Sequence, residues 1–239
     1  MTNQPFPTWP PAETKLDTLY LTADQELTTQ PDPDESSLSY QADSPAQQMD
    51  QDTDELCFTR TFAHTYTILG SARAVLHMSI TEHDDMDVHV QIRKADANGT
   101  VLQQMNIPQS DLEAVGMTGR VEPVNPMIYL GPTGALRASY RAIDDELSTE
   151  YWPEHKYTRC NKLGKGEIVR LDIGLWQTGI RFEAGEKLVL KVSGHPMVLA
   201  EFPPLRGALP NANVGKHVVH TGGSRASYLV IPVVPSVRL

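Results

Sequence analysis

Asp87 to Lys94 reads D-V-H-V-Q-I-R-K, with Val88, Val90 and Ile92 alternating with His89, Gln91 and Arg93, and the run ends before Asn98-Gly99. An apolar residue at every second position marks a strand with one buried and one solvated face, because successive side chains point to opposite sides. Asn-Gly readily takes the left-handed backbone of a tight hairpin, which predicts a return strand over Val101 to Met105. The same period recurs outward from this stretch. Ala72 to Thr81 sets Ala72, Ala74, Leu76, Met78 and Ile80 against Arg73, Val75, His77 and Ser79, and Glu167 to Leu175 sets Val169, Leu171, Ile173 and Leu175 against Ile168, Arg170, Asp172 and Gly174.

Shorter strand-like runs fill the rest: Leu19 to Leu21 after the Thr8 to Pro11 turn, Leu38 to Gln41, Leu56 to Arg60, Leu188 to Ser193 and Ser227 to Val234. Pro and Gly punctuate nearly every interval, and one short helix is expected at Gln109 to Ala114, capped by Ser110 or Asp111. Strands in succession without helix alternation predict an all-β protein, a jelly-roll β-sandwich. The same pattern leaves no β-α-β unit from which a doubly wound core could be built. The 239 residues are enough for one large core and are read as a single domain, 1–239.

The net charge of -10 disfavours phosphate backbones and anionic lipid, so neither nucleic acid nor membrane is an expected partner. Asp32 to Asp54 carries seven acidic residues and no Lys or Arg, and is read as a solvated loop of low order over about 32–54. The opening M-T-N-Q-P-F-P lacks the apolar core of a secretory signal, so the expected compartment is cytoplasmic and Cys57 and Cys160 are expected to be free thiols. No apolar run approaches the ~18 residues of a membrane-spanning helix.

Catalytic chemistry is hard to find. No G-x-S-x-G nucleophile elbow occurs, and Ser224 and Ser227 beside His217 and His220 lack an evident orienting acid or oxyanion hole. His217 and His220 are three apart, so on a strand they face opposite sides and cannot chelate one ion without a bulge. No catalytic residue, metal ligand or cofactor is therefore assigned.

Four segments carry a specific likeness: G-A-L-R-A-S-Y-R from Gly134, L-D-I-G-L-W from Leu171, R-F-E-A-G-E-K-L from Arg181 and H-T-G-G-S-R-A-S-Y-L-V-I-P from His220. In order and spacing the chain resembles the C-terminal β-domain of the X-Pro dipeptidyl-peptidase and cocaine-esterase (CocE/NonD) group of α/β-hydrolases, from about Thr8 to Pro235. Glu186 and Lys187 depart from the His and Arg usual there. The resemblance implies a galactose-binding-like jelly roll without the catalytic domain, in which the serine, aspartate and histidine of the parent enzymes have no counterpart. It also implies a packing role against an α/β-hydrolase catalytic domain, in cis or in trans, shaping its substrate cleft and contributing to assembly, with a homo-oligomer as one form.

The resemblance places Leu76, His77 and Met78 on the strand bordering the acyl pocket, with ordinary core and surface alternation as the other reading of the same pattern, and Trp152 and His155 on a loop that either faces a partner domain or plugs the core with its aromatic rings. Trp176, ending a strand, either seals the sandwich edge or joins that interface. Asn211, Asn213 and Gly215 match an N-x-N-x-G element, and Asn211, Asn213 and His220 are expected to satisfy backbone groups around the Gly222-Gly223 turn. The alternative function is a stand-alone carbohydrate- or ligand-binding module. A docking domain should expose a large contiguous apolar patch on one sandwich face, and a binding module should bear solvated aromatics on its concave face.

Overall fold

The computed structural model describes residues 6–44, 54–105, 109–116, 128–197 and 211–234. In chain order its strands are β1 (Lys15–Leu21), β2 (Leu27–Thr28), β3 (Ser36–Gln41), β4 (Glu55–Thr61), β5 (Tyr66–Gly70), β6 (Arg73–Ile80), β7 (Asp87–Ala95), β8 (Gln104–Met105), β9 (Ile128–Tyr129), β10 (Thr133–Arg137), β11 (Val169–Gly174), β12 (Thr178–Phe182), β13 (Lys187–Ser193), β14 (Lys216–Thr221) and β15 (Tyr228–Val234), with one helix, α1, at Gln109–Ala114. Helix α1 falls where expected, but Ser110 and Asp111 lie inside it rather than at its cap.

Two antiparallel sheets face each other, the all-β sandwich predicted from the alternation. A nine-stranded sheet is built around β15 and β6, and a four-stranded sheet has the order β10-β7-β13-β4. β15 carries β1 along one side and β5 and β6 on the other, while β6 carries β11 along its length opposite β15 and β14. Phe58, Val88, Val90, Ile92, Leu188 and Leu190 of the smaller sheet share one fully buried core with Leu76, Met78, Ile80, Leu171 and Leu229 of the larger. Each such large side chain stabilises the fold by about 1.5–3 kcal/mol relative to exposure.

Several expectations are corrected. The outer face of β7 is not solvated: Gln91 and Arg93 are buried, with Gln91 Nε2 donating to Met197 O (3.4 Å) and Arg93 Nη2 to Leu102 O (3.5 Å). Two later segments, at Leu102 and Met197, reach this face, which alternation alone cannot reveal. The hairpin after Asn98-Gly99 turns as predicted, with Gly99 at φ 91°, but returns only as a bridge between Ala95 and Val101. The following strand, β8, pairs with β9 and not with β7.

The acidic stretch contains ordered structure. Within it, β3 pairs with β14 over Ser36 to Gln41 and buries Tyr40; residues 45–53 of the stretch lie outside the described residues. No helix among the described residues is long and apolar enough to cross a membrane. Cys57 and Cys160 are unbridged, and burial, with the nearby Glu55 carboxylate, pushes the Cys57 thiol up to about 12, which keeps it protonated.

Candidate functional site: an aromatic corner

The outermost strands β10 and β11 meet at one corner of the sandwich. Their approach requires glycine at two places. A Cβ on Gly134 would lie 2.2 Å from Gly174 O, and one on Gly174 would lie 2.9 Å from the Trp152 ring. The chain after Gly174 stays close to β10, since Trp176 N donates to Thr133 O at 3.1 Å.

The 141–160 loop folds over this corner and is tied to itself by Asp144 N to Glu154 O (2.8 Å) and Lys156 N to Ala142 O (2.9 Å). His155 anchors it to the sheet, its Nε2 lying 3.0 Å from Asp172 O. Because a carbonyl only accepts, Nε2 is the donor in this bond, and the other ring nitrogen, Nδ1, is buried with no hydrogen-bond partner. A buried polar atom left unpaired costs about 1–3 kcal/mol.

Above this anchor the aromatic side chains form a row. Trp152 and Trp176 have ring centroids 6.4 Å apart, Tyr157 lies 5.9 Å from His155, and Tyr140 lies 6.0 Å from Tyr157. Trp176 is 71% exposed and Tyr157 62%. Tyr157 also has φ 47°, a left-handed conformation rare for a bulky side chain and found most often where the surroundings impose it for a purpose.

The row flanks two open pockets. One, of about 240 Å³, lies among Trp152, His155, Tyr157 and Trp176. The other, of about 390 Å³, runs from Tyr157 and Tyr140 past Arg137 to His89, His195 and Asn211. Arg137 holds Asp87 by two bonds of 2.6 and 2.7 Å at the rim. Burial lowers His89 to about 4, so it faces this pocket as a neutral imidazole at physiological pH. Mostly apolar and aromatic walls with a few fixed polar groups are the usual make-up of a recognition surface.

Asn213 holds the floor of this region together. Its Oδ1 accepts from Asp87 N (2.7 Å), and its Nδ2 donates to Asp87 O (2.9 Å) and Gly194 O (2.7 Å). Asn211 Nδ2 donates to Ala42 O and Ser44 O, both at 2.8 Å. These asparagines satisfy backbone groups, but not those of the Gly222-Gly223 turn as expected. That turn is instead fitted against the acidic stretch, with Gly223 N donating to Asp32 O at 2.9 Å. His220 also serves another partner, its Nε2 lying 2.8 Å from Ser79 Oγ.

Of the strand placed beside an acyl pocket, Leu76 and Met78 are fully buried in the core and present no surface to a substrate. His77 lies on the opposite, outer face of the larger sheet, held by Ala226 O at 3.1 Å, and is not part of the corner. Trp152, His155 and Trp176 are brought together. Trp176 does not seal the sandwich edge: it is largely exposed and stands beside Trp152.

The serine–histidine pairing does not form. Ser227 Oγ donates to His220 O (2.6 Å) and accepts from His77 N (2.9 Å), Ser224 Oγ donates to Glu35 (2.6 Å), and His217 meets Tyr40 OH (3.0 Å). His217 and His220 point to opposite faces, and among the described residues no group of three or more His, Cys, Asp or Glu is placed to hold a metal ion.

The described residues form a β-sandwich with a solvated aromatic corner, in which neither the Ser224 nor the Ser227 hydroxyl meets a histidine ring. The chain belongs to the X-Pro dipeptidyl-peptidase C-terminal non-catalytic domain family, whose sequence profile matches residues 2–230. Two crystal structures of a CocE/NonD family hydrolase from Staphylococcus aureus superpose on 97% of the chain with TM-scores of 0.80 and 0.81, at 26% and 25% identity. An aminopeptidase from a marine sediment Thaumarchaeota archaeon, at 17% identity and TM-score 0.62 over 96% of the chain, shares the fold. No curated protein matches the chain. The chain spans 38–39% of the length of these structures.

Tyr140, Tyr157 and His89 were not singled out from the sequence. Tyr140 lies inside the G-A-L-R-A-S-Y-R motif and Tyr157 two residues after His155, so proximity to motif residues was the available signal.

Proposed function

We propose that the chain is the accessory β-domain of a serine hydrolase and docks its aromatic corner onto an α/β-hydrolase catalytic domain, where the pocket beside Tyr157 and Tyr140 walls part of the substrate cleft. The observation that carries this reading is the pairing of 97% coverage of the chain with only 38–39% of the S. aureus hydrolase. Most of that relative lies beyond the matched region, so a covering partner of that size has a place to come from. The exposed Trp176 and Tyr157, the unpartnered His155 Nδ1 and the left-handed Tyr157 backbone fall in one area, as expected of a surface completed by a partner. The compartment in this reading is the cytoplasm. Hydrolysis belongs to the catalytic domain, and the chain alone has none.

The test is association of the purified chain with a CocE/NonD-type α/β-hydrolase domain from which its own β-domain has been removed. A complex that shields Trp176 from a soluble quencher, and that Trp176→Ala weakens by about tenfold or more, is the expected result, since truncated central aromatics commonly have such effects. No complex, or a complex indifferent to Trp176→Ala and Tyr157→Ala, refutes the reading. Solvated aromatics also suit a carbohydrate-binding module, and fluorescence quenching of the isolated chain by an oligosaccharide would favour that alternative.

A further inference from the structure

The loop that presents the aromatic row has a second face, turned toward the outer side of the larger sheet. There a polar pocket of about 460 Å³ is lined by Arg73, Arg141, Arg170, Asp145, Ser148 and Asp172, among others. Three guanidinium groups share it with two carboxylates, in a chain whose net charge is -10. Local positive charge in an acidic protein calls for a specific explanation.

The commitments of these groups differ. Arg170 holds Asp172 through a two-pronged contact, Nε to Oδ2 at 2.8 Å and Nη2 to Oδ1 at 2.9 Å, which occupies both carboxylate oxygens. Arg141 Nη1 donates to Ala138 O (3.0 Å) and Asn161 O (2.7 Å), and its Nη2 lies 3.8 Å from Glu167 Oε1, a loose pairing that offsets part of its charge. The Ser148 hydroxyl is taken up by the Glu154 backbone, accepting from its N at 2.9 Å. Asp145 stands exposed at the rim.

Arg73 is the exception. Its side chain is 25% exposed, its Nε is buried without a hydrogen-bond partner, and the nearest carboxylate oxygen, Asp172 Oδ1, is 4.0 Å away and already engaged by Arg170. A guanidinium carries five donors and stays charged throughout the accessible pH range, so one that is mostly buried needs acceptors. Water fills such a gap at an ordinary surface. A concave pocket flanked by two further arginines offers more, because the planar fork of arginine matches two oxygens of one anion.

We infer that this pocket binds a small oxyanion, a carboxylate or inorganic phosphate, with Arg73 as its principal ligand and Arg141 and Arg170 supplying flanking charge. This site is independent of the docking reading, although Pro153 lines both this pocket and the one beneath Trp152. Binding here would bear on one wall of the loop that carries Trp152 and Tyr157.

The probes are acetate and inorganic phosphate, titrated into the whole chain in chloride buffer at fixed ionic strength. The readouts are calorimetry and the Arg73 Nε–H resonance in a ¹H–¹⁵N spectrum. The expected result is saturable binding, with affinity reduced at least tenfold in Arg73→Gln, partly retained in Arg73→Lys, and unchanged in a surface control, Arg181→Gln. If Arg73→Gln does not fold, the wild-type resonance still decides. A resonance that does not shift saturably with either anion, or binding equal in wild type and Arg73→Gln, overturns the inference.

Discussion

Replacing Asn213 by alanine tests whether the corner is held from beneath as described. The side chain is 6% exposed and makes three hydrogen bonds to main-chain groups of two separate segments, at Asp87 and Gly194. Truncation leaves the Asp87 N–H, the strongest of the orphaned groups, without an acceptor and both carbonyls short of a donor. An unsatisfied buried donor costs about 1–3 kcal/mol and each lost net hydrogen bond about 0.5–1.5 kcal/mol, so the sum is roughly 3 kcal/mol. For a domain of this size that corresponds to a fall in unfolding temperature of about 6–12 °C. Asn213→Asp should be at least as damaging, because a carboxylate keeps the bond from Asp87 N but turns a negative oxygen toward Asp87 O and Gly194 O. Urea unfolding followed by far-UV circular dichroism measures both variants. A loss below about 0.5 kcal/mol for Asn213→Ala would show that these contacts are dispensable or replaced by water, and would refute the reasoning.

Two further results are expected. Burial lowers His89 and His217 from 6.5 to about 4, so each stays neutral in the folded chain where the unfolded chain is protonated. The unfolded state then binds more protons, and stability is full above pH 6.5 and falls as pH drops toward 4, by about 3 kcal/mol for each histidine at the end of that window. Asp43, held below the usual carboxylate range by the Gln41 side chain and Gly215 N, and Asp85, where burial is outweighed by bonds from Ser139, Lys162 and Met86 N, add their losses only further down. Stability that is flat from pH 6.5 to 4.5, or unaltered in slope by His89→Gln, contradicts this account. Separately, Gly174→Ala drives a methyl group into the Trp152 ring and should cost about 1–3 kcal/mol while changing the near-ultraviolet dichroism of the tryptophan pair. Superimposable near-ultraviolet spectra would mean that Trp152 does not rest on Gly174.

The strands legible in the sequence are those whose two faces differ. β6, β7 and β11 each carry a row of aliphatic side chains on the core side, and period two is then enough to locate them. β10 leaves no such pattern, because T-G-A-L-R buries only Leu136 and has glycine where a β-branched residue would strengthen the signal. Gly134 is there because β11 comes too close for a side chain, a tertiary fact with no local trace. Alternation also misjudges the outer face of β7, where Gln91 and Arg93 look solvated in sequence but are buried and bonded to Met197 O and Leu102 O, contacts that a period of two does not report. β3 is legible only in its second half, Leu38 to Gln41: the Ser36-Ser37 that opens it is polar, and pairing with β14 and the burial of Tyr40 hold the strand in place.

The site was legible only in part, and the reason lies in its construction. Trp152 and His155 could be noticed as an unusual loop and Trp176 as an unusual strand end, but nothing in the intervening residues says that they meet. They meet because Gly174 lets the Trp152 ring lie on the β11 backbone and because His155 reaches Asp172 O. A loop fixed by its own cross-bridges and by one buried histidine can hold large aromatic side chains in solvent without collapsing them onto the core. That separation of duties, backbone contacts for stability and side chains for exposure, is what a docking surface requires. It also explains why Leu76 and Met78 follow ordinary strand alternation rather than meeting a substrate: the most regular positions of a sandwich belong to its core, and in the docking proposal recognition falls to the irregular corner where its sheets run out.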